Sequence, residues 1–196
     1  MLSDVVSDEV SASVLSLLLP IFVAAVLVFV ASSVIHMFIG YHRNDRRAVP
    51  DENGAMDALR GLGLEPGNYA IPHAGSMEVM KSDEFQEMAR RGPSAFLTVL
   101  PPNPQARMGR QLLQWFVYCL VVGLITAFVC VMALGPGEEY LTVFVLASTA
   151  AFMGYAMALA QDAIWSFQGW AATARSMFDG LIYALLTGGA FGWLWP

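Results

Sequence analysis

The chain has 196 residues, of which 57% are apolar and only 13% charged, and its net charge is −6. Ordinary globular chains carry about 45–50% apolar and about 25% charged residues, so this composition points away from a soluble domain and toward a bilayer. No basic patch outweighs its neighbouring acids, which leaves nucleic-acid binding without support.

The apolar surplus is concentrated in four nearly charge-free runs, residues 15–38, 112–134, 140–159 and 177–195. Roughly 20 helical residues cross a hydrocarbon core about 30 Å thick. A buried helix of a soluble bundle usually keeps a polar stripe, and these runs show none. The expected fold class is an all-α membrane protein of four transmembrane helices, with a small α/β cytoplasmic insert between helices 1 and 2.

In chain order, residues 1–13 form a short acidic external tail with Asp4, Asp8 and Glu9 and no Lys or Arg. The first span covers 14–40. A secretory signal needs a basic n-region and a shorter apolar core, so this run reads as an uncleaved anchor. Pro20 falls near its outer end, where a proline costs little.

Residues 41–111 form the insert. "VPDENGAMDALRGLG" has Pro50 and acids at a helix start and glycines at its end. "NYAIP" is short, β-prone and closed by proline. "KSDEFQEMARRGP" repeats the helix grammar, with Ser82 as N-cap, acids in the first turn, Arg90 and Arg91 in the last, and then Gly92 and Pro93. "SAFLTVLPP" is a second strand. The expected order is helix, strand, helix, strand, a unit with few large apolar residues and a marginal core of its own.

The second span is 112–134. Its cysteines, Cys119 and Cys130, are separated by about 16 Å of helix axis, too far for a disulfide, and read as buried thiols. The third span is 140–160. The connector at 161–175, "QDAIWSFQGWAATAR", places Phe167, Trp170, Ala171 and Ala174 at helical spacing. It reads either as an interfacial helix or as an extension of its neighbours. The fourth span, 176–196, runs out into headgroups on Trp193 and Trp195. With Trp165 and Trp170, these indoles are the expected interface anchors.

All ten Lys and Arg fall in two segments: Arg175 in the 161–175 connector and the rest in the insert, beginning with Arg43, Arg46 and Arg47 and ending with Arg107 and Arg110. The two segments share one side in any four-span topology. The positive-inside rule makes that side cytoplasmic, so both termini and the acidic "GPGEE" turn at 135–139 are expected outside.

Several chemistries are suggested and weighed against plainer accounts. "IHMFIGYH" offers His36 and His42 as haem ligands, but no other span carries a histidine, and an interfacial histidine with local hydrogen bonds is the simpler account. "PHAGSMEVM" offers His73, Met77 and Met80 to copper, against methionine's ordinary use as a gap-filler. An intramembrane protease needs paired acids at matching depth, and Asp162 and Asp179 both fall near the cytoplasmic boundary. Arg175 and Asp179 are four residues apart, so an i, i+4 ion pair accounts for Asp179. No phosphate loop or zinc spacing occurs, and no internal repeat suggests a carrier. Small residues recur at four-residue spacing in two spans: Ala150, Gly154 and Ala158 in the third, and Ala184, Gly188 and Gly192 in the fourth. Such stripes let helix backbones approach in lipid; the two helices packing on each other is favoured over a subunit interface.

The segments "FDGLIYALLTGGAFGWLWP" and "GNYAIPHAGSMEVM…RRGPSAFLTVLPP" resemble a group of bacterial four-span inner-membrane proteins with no activity attached to it. The similarity spans most of the chain from about His36. It implies a bacterial inner (plasma) membrane home and brings no catalytic residues. The expected function is a non-enzymatic accessory or assembly subunit without a cofactor. Its partners would be the bilayer and either another membrane protein or further copies of itself. The alternative is a small transporter or a metal- or haem-handling protein.

Overall fold

The computed structural model describes the backbone of residues 2–196 and the side chains of residues 16–196. The acids of the expected tail, Asp4, Asp8 and Glu9, lie outside the described side chains. Helix α1 (Leu2–Val34) continues into a π-helical turn at Ile35–Ile39. Then come α2 (Glu52–Gly61), β1 (Gly67–Ile71), α3 (Met77–Lys81), α4 (Asp83–Arg91) and β2 (Ala95–Val99). A 3-10 turn at Pro104–Arg107 opens α5 (Met108–Ala133). It is followed by α6 (Tyr140–Phe152), a second π-helical turn at Met153–Met157, α7 (Leu159–Trp165) and α8 (Trp170–Leu194).

Four helical stretches are long and apolar enough to cross a membrane: Ser16–Ile39, Pro104–Ala133, Tyr140–Trp165 and Trp170–Leu194. Their packing explains why water is the wrong solvent for them. Leu18, Phe22, Phe128, Met132, Leu141 and Met153 point outward and are more than half exposed. A soluble protein would not leave such a continuous apolar girdle uncovered.

The chain divides into two compact units, residues 1–46 with 109–196, and residues 47–108. Residues 41–46, placed in the insert by sequence, belong to the helical unit. So does the whole 161–175 connector, most of which lengthens the third and fourth helices on either side of a short break at 166–169. Pro20, expected near a helix end, is inside α1 and fully buried. The protein environment of such a bundle tolerates a span-interior proline.

In the helical unit the interior holds two apolar clusters. One is built from Leu17, Ile21, Cys130, Val143, Ala147 and Phe191, and the other from Val28, Ile35, Cys119, Val122, Tyr155 and Tyr183. Both cysteines are free and buried. Close approach of α6 and α8 depends on glycine. A Cβ built on Gly188 would lie 1.9 Å from Ser148 Oγ and 2.7 Å from the Phe144 carbonyl oxygen, and one on Gly192 would lie 2.8 Å from the Tyr140 ring.

In the other unit, β1 and β2 pair antiparallel, Gly67 opposite Val99 and Ile71 opposite Ala95. The pleat turns Asn68, Phe96 and Thr98 outward, and Thr98 Oγ1 donates to Asn68 Oδ1 across the ladder at 2.9 Å. Caps follow the sequence grammar. Asp51 accepts the Gly54 N–H at the start of α2, and Ser82 accepts the Phe85 N–H at the start of α4.

Candidate functional site

The polar centre of the helical unit begins where α1 loses its α-helical register. The π-helical turn at Ile35–Ile39 carries His36 and ends at Gly40, whose φ of 69° is the left-handed conformation that glycine adopts without a Cβ penalty. The chain then folds back tightly: the Arg43 N–H donates to the Gly40 carbonyl at 3.2 Å and the Asp45 N–H to the His42 carbonyl at 3.0 Å. This reversal brings His42 and Asp45 beside α8.

From α8 come Arg175 and Asp179. Asp179 is 2% exposed although it sits within a span-length apolar helix. Its neighbour Gly180 has no room for a side chain, since a Cβ there would lie 2.8 Å from the Ala156 Cβ and 3.0 Å from the Tyr155 carbonyl oxygen. The backbone beside Asp179 is therefore pressed against the second π-helical turn. π-turns of this kind occur frequently at functional sites.

These groups form one network. His42 Nε2 is 2.8 Å from Asp179 Oδ2, and His42 Nδ1 is 2.6 Å from Asp45 Oδ2. The other Asp45 oxygen accepts from Arg175 Nε at 2.8 Å and also from Arg175 Nη2. His36 Nε2 stands 3.9 Å from the same Asp179 oxygen that His42 meets. The two imidazole rings are 4.8 Å apart, and the Tyr41 ring lies 4.3 Å from that of His42. Asp179 Oδ1, Tyr41 Oη and Tyr183 Oη are buried with no hydrogen-bonding partner.

The bond from His42, followed by the Arg175 guanidinium, holds the Asp45 carboxyl below its ordinary range. A cavity of about 720 Å³ opens onto the network and is lined by His36, His42, Asp45, Arg43, Arg46, Asp162 and Gln168, among others.

The structure corrects the expected account of Asp179. Arg175 does not pair with it; that guanidinium is engaged by Asp45, and Asp179 is turned into the bundle toward His42. Along α8 the buried residues Asp179, Tyr183 and Thr187 succeed one another at four-residue spacing. The line is continued by Ser148 of α6, whose Oγ is buried, unpartnered and set against Gly188.

His36 and His42 do come together, but they converge on one carboxylate with their rings in contact, which leaves no gap for a porphyrin between them. His73 lies in the other unit, in the loop after β1. There Met77 and Met80 are exposed residues of α3, 63% and 42% accessible. Ala184, Gly188 and Gly192 face the α6 side of the bundle, Ala150 is buried within α6, and Ala158 closes the second π-turn. Gly154 packs on Val122 of α5. Trp165, Trp170 and Trp193 are strongly exposed, whereas Trp195 donates to the Gly135 carbonyl at 3.0 Å. Asp45 was not singled out by sequence. Its visible signal was the His42–Asp45 spacing of three residues in a turn closed by Gly40.

Comparison of the chain with protein-family models, curated proteins and solved structures finds no match.

Proposed function

We propose that this multi-pass membrane protein handles a cation, and that its working site is the network of His36, His42, Asp45, Arg175 and Asp179. One observation carries the reading. Asp179 is a carboxylate inside a span-length helix, shielded from water, held by a histidine through one oxygen and unpartnered at the other. An ionisable group at such a position is costly, and in membrane proteins it typically marks an ion or proton pathway. The polar line through Tyr183, Thr187 and Ser148 gives the site a direction along α8. Fully buried Phe191 and Val143 belong to the other apolar cluster of the bundle. Following the arginine bias, the His42 end faces the cytoplasm of a bacterial inner membrane.

The test is cation flux into proteoliposomes followed with ion- and pH-sensitive dyes. Wild-type protein is expected to support flux that Asp179→Asn removes. Flux equal to that of empty vesicles, or untouched by the substitution, rejects the reading.

An accessory or assembly role is the second reading, favoured by the unit of residues 47–108. Its two-stranded sheet presents Phe96 and Ile71 to the outside, 64% and 43% exposed, and open strand edges are templates for pairing. Isolation in mild detergent as a lone chain with no companion would reject that role.

A further inference from the structure

We propose that the cation taken at this end of the bundle is a divalent transition metal, bound by His36, His42 and Asp179. The proposal rests on the ion-handling reading above and names its substrate class.

The first support is geometric. The ligand atoms of these three residues all lie within 4.8 Å of one another. His42 Nε2 is 2.8 Å, and His36 Nε2 3.9 Å, from Asp179 Oδ2. Around a tetrahedral ion with bonds of about 2.0–2.1 Å, neighbouring donors are separated by roughly 3.3 Å. The present separations bracket that value. Of the three ligands His36 is the exposed one, and its approach by rotation would close the set around an ion.

The second support is independent of the spacing. The Asp179 side chain is 3% exposed and its Oδ1 has no partner. A buried carboxylate oxygen left without a donor is costly. Direct ligation by a cation, or its neutralisation when a cation binds through Oδ2, removes that cost.

Third, the ligand that matters most is already oriented. Metal-bound histidines usually donate their other ring N–H to a carboxylate, which sets the tautomer and directs the free lone pair. Asp45 occupies that position at 2.6 Å from His42 Nδ1, and Arg175 fixes Asp45 in turn. Arg175 offsets the charge of Asp45, and Asp179 supplies the one carboxylate among the three ligands; Arg43, Arg46 and Asp162 also line the cavity.

Donor chemistry narrows the metal. Two imidazoles and one carboxylate, with a remaining position open to the cavity, suit Zn²⁺ and its neighbours Co²⁺, Mn²⁺ and Fe²⁺. The absence of thiolate or thioether donors among the three disfavours Cu(I), and a single carboxylate is poor provision for Ca²⁺ or Mg²⁺.

The experiment is titration of the full-length protein in detergent with CoCl₂ and ZnCl₂, read by calorimetry and by the visible Co²⁺ spectrum, which reports coordination number. Wild-type protein is expected to bind one ion per chain and to give the intense visible bands of low-coordinate cobalt. Asp179→Asn and His42→Gln are expected to weaken binding at least about 100-fold. Asp45→Asn, which loosens both the orientation of His42 and the pairing with Arg175, is expected to weaken it about 10–100-fold. His73→Gln, in the other unit, is expected to bind as wild type. Helix content and monodisperse elution identify any variant that fails to fold, and Asp179→Glu, which keeps a carboxylate, recovers part of the affinity.

Folded wild-type protein that takes up neither ion stoichiometrically overturns the proposal, as does undiminished binding by Asp179→Asn together with His42→Gln. If metal binding fails while another cation still crosses the vesicle membrane in an Asp179-dependent way, the metal assignment falls and the ion-handling reading survives. Metal binding without flux has the opposite meaning.

Discussion

Arg175 and Asp45 stand 130 residues apart in the chain, yet the guanidinium of one donates through both Nε and Nη2 to a single carboxylate oxygen of the other. This pair fastens the turn after α1 to the first part of α8. It also frees Asp179, one helical turn further on, to face His42.

If the pair acts as a fastener, a double-mutant cycle on Arg175→Ala and Asp45→Ala should show coupling of about 1–2 kcal/mol. Both side chains are partly shielded, and hydrogen bonds to charged groups exceed neutral ones. Thermal or denaturant unfolding in detergent measures it. Coupling within error of zero would mean that the turn is held by packing alone. Arg175→Lys should recover only part of the effect, because a point charge lacks the guanidinium fork.

Asp45 also predicts how the helical unit responds to acid. Its carboxyl is held below the ordinary aspartate value of 3.8 by His42 and Arg175. A carboxyl whose folded-state pKa is depressed contributes stability that is fully present above the unfolded value and is lost as pH falls through the folded one. The wild-type protein should therefore lose stability below about pH 4 more steeply than Asp45→Asn, with the two curves parallel near pH 7. Unfolding midpoints measured across that range decide the matter, and parallel curves throughout would contradict it.

Gly188 and Gly189 are adjacent in α8 and should behave oppositely. A methyl group at Gly188 would collide with Ser148 Oγ and with the backbone oxygen of Phe144, whereas one at Gly189 meets nothing within 4 Å. Gly188→Ala should cost about 1–3 kcal/mol through overpacking. Gly189→Ala should be neutral or stabilising by under about 1 kcal/mol, the usual gain of alanine over glycine in a helix. Equal effects would show that α6 and α8 are less closely packed than described.

Ser82 serves two helices. Its hydroxyl donates to the Val79 carbonyl at the end of α3 and accepts the Phe85 N–H at the start of α4. Ser82→Ala should destabilise the unit of residues 47–108 by about 1 kcal/mol and raise its rate of limited proteolysis, while the membrane-spanning helices keep their protection. Unchanged cleavage would show that the cap is dispensable.

What the amino-acid order determined by itself is the part that rests on local rules. Span length, the positions of the four apolar runs, the cap at Ser82, and the two short strands follow from composition and spacing within about 20 residues. Bilayer thickness and backbone hydrogen bonding act on just that scale. The small-residue stripe of α8 was legible for the same reason, though not that Gly154 would meet α5 or that Gly180 would be pressed against Ala156 and Tyr155.

The candidate site was decided only by the tertiary structure. His42 and Asp179 are separated by 137 residues, and sequence spacing alone offered Arg175 as the nearer partner for Asp179. Which acid a base chooses depends on where the helices cross and which way each face turns. The π-turn before Gly40 and the close contact at Gly180 set both, by steering His42 inward and bringing α8 against its neighbour. Charge pairing inside a bundle follows proximity in space, and with it goes the assignment of Asp179, the buried carboxylate among the described residues.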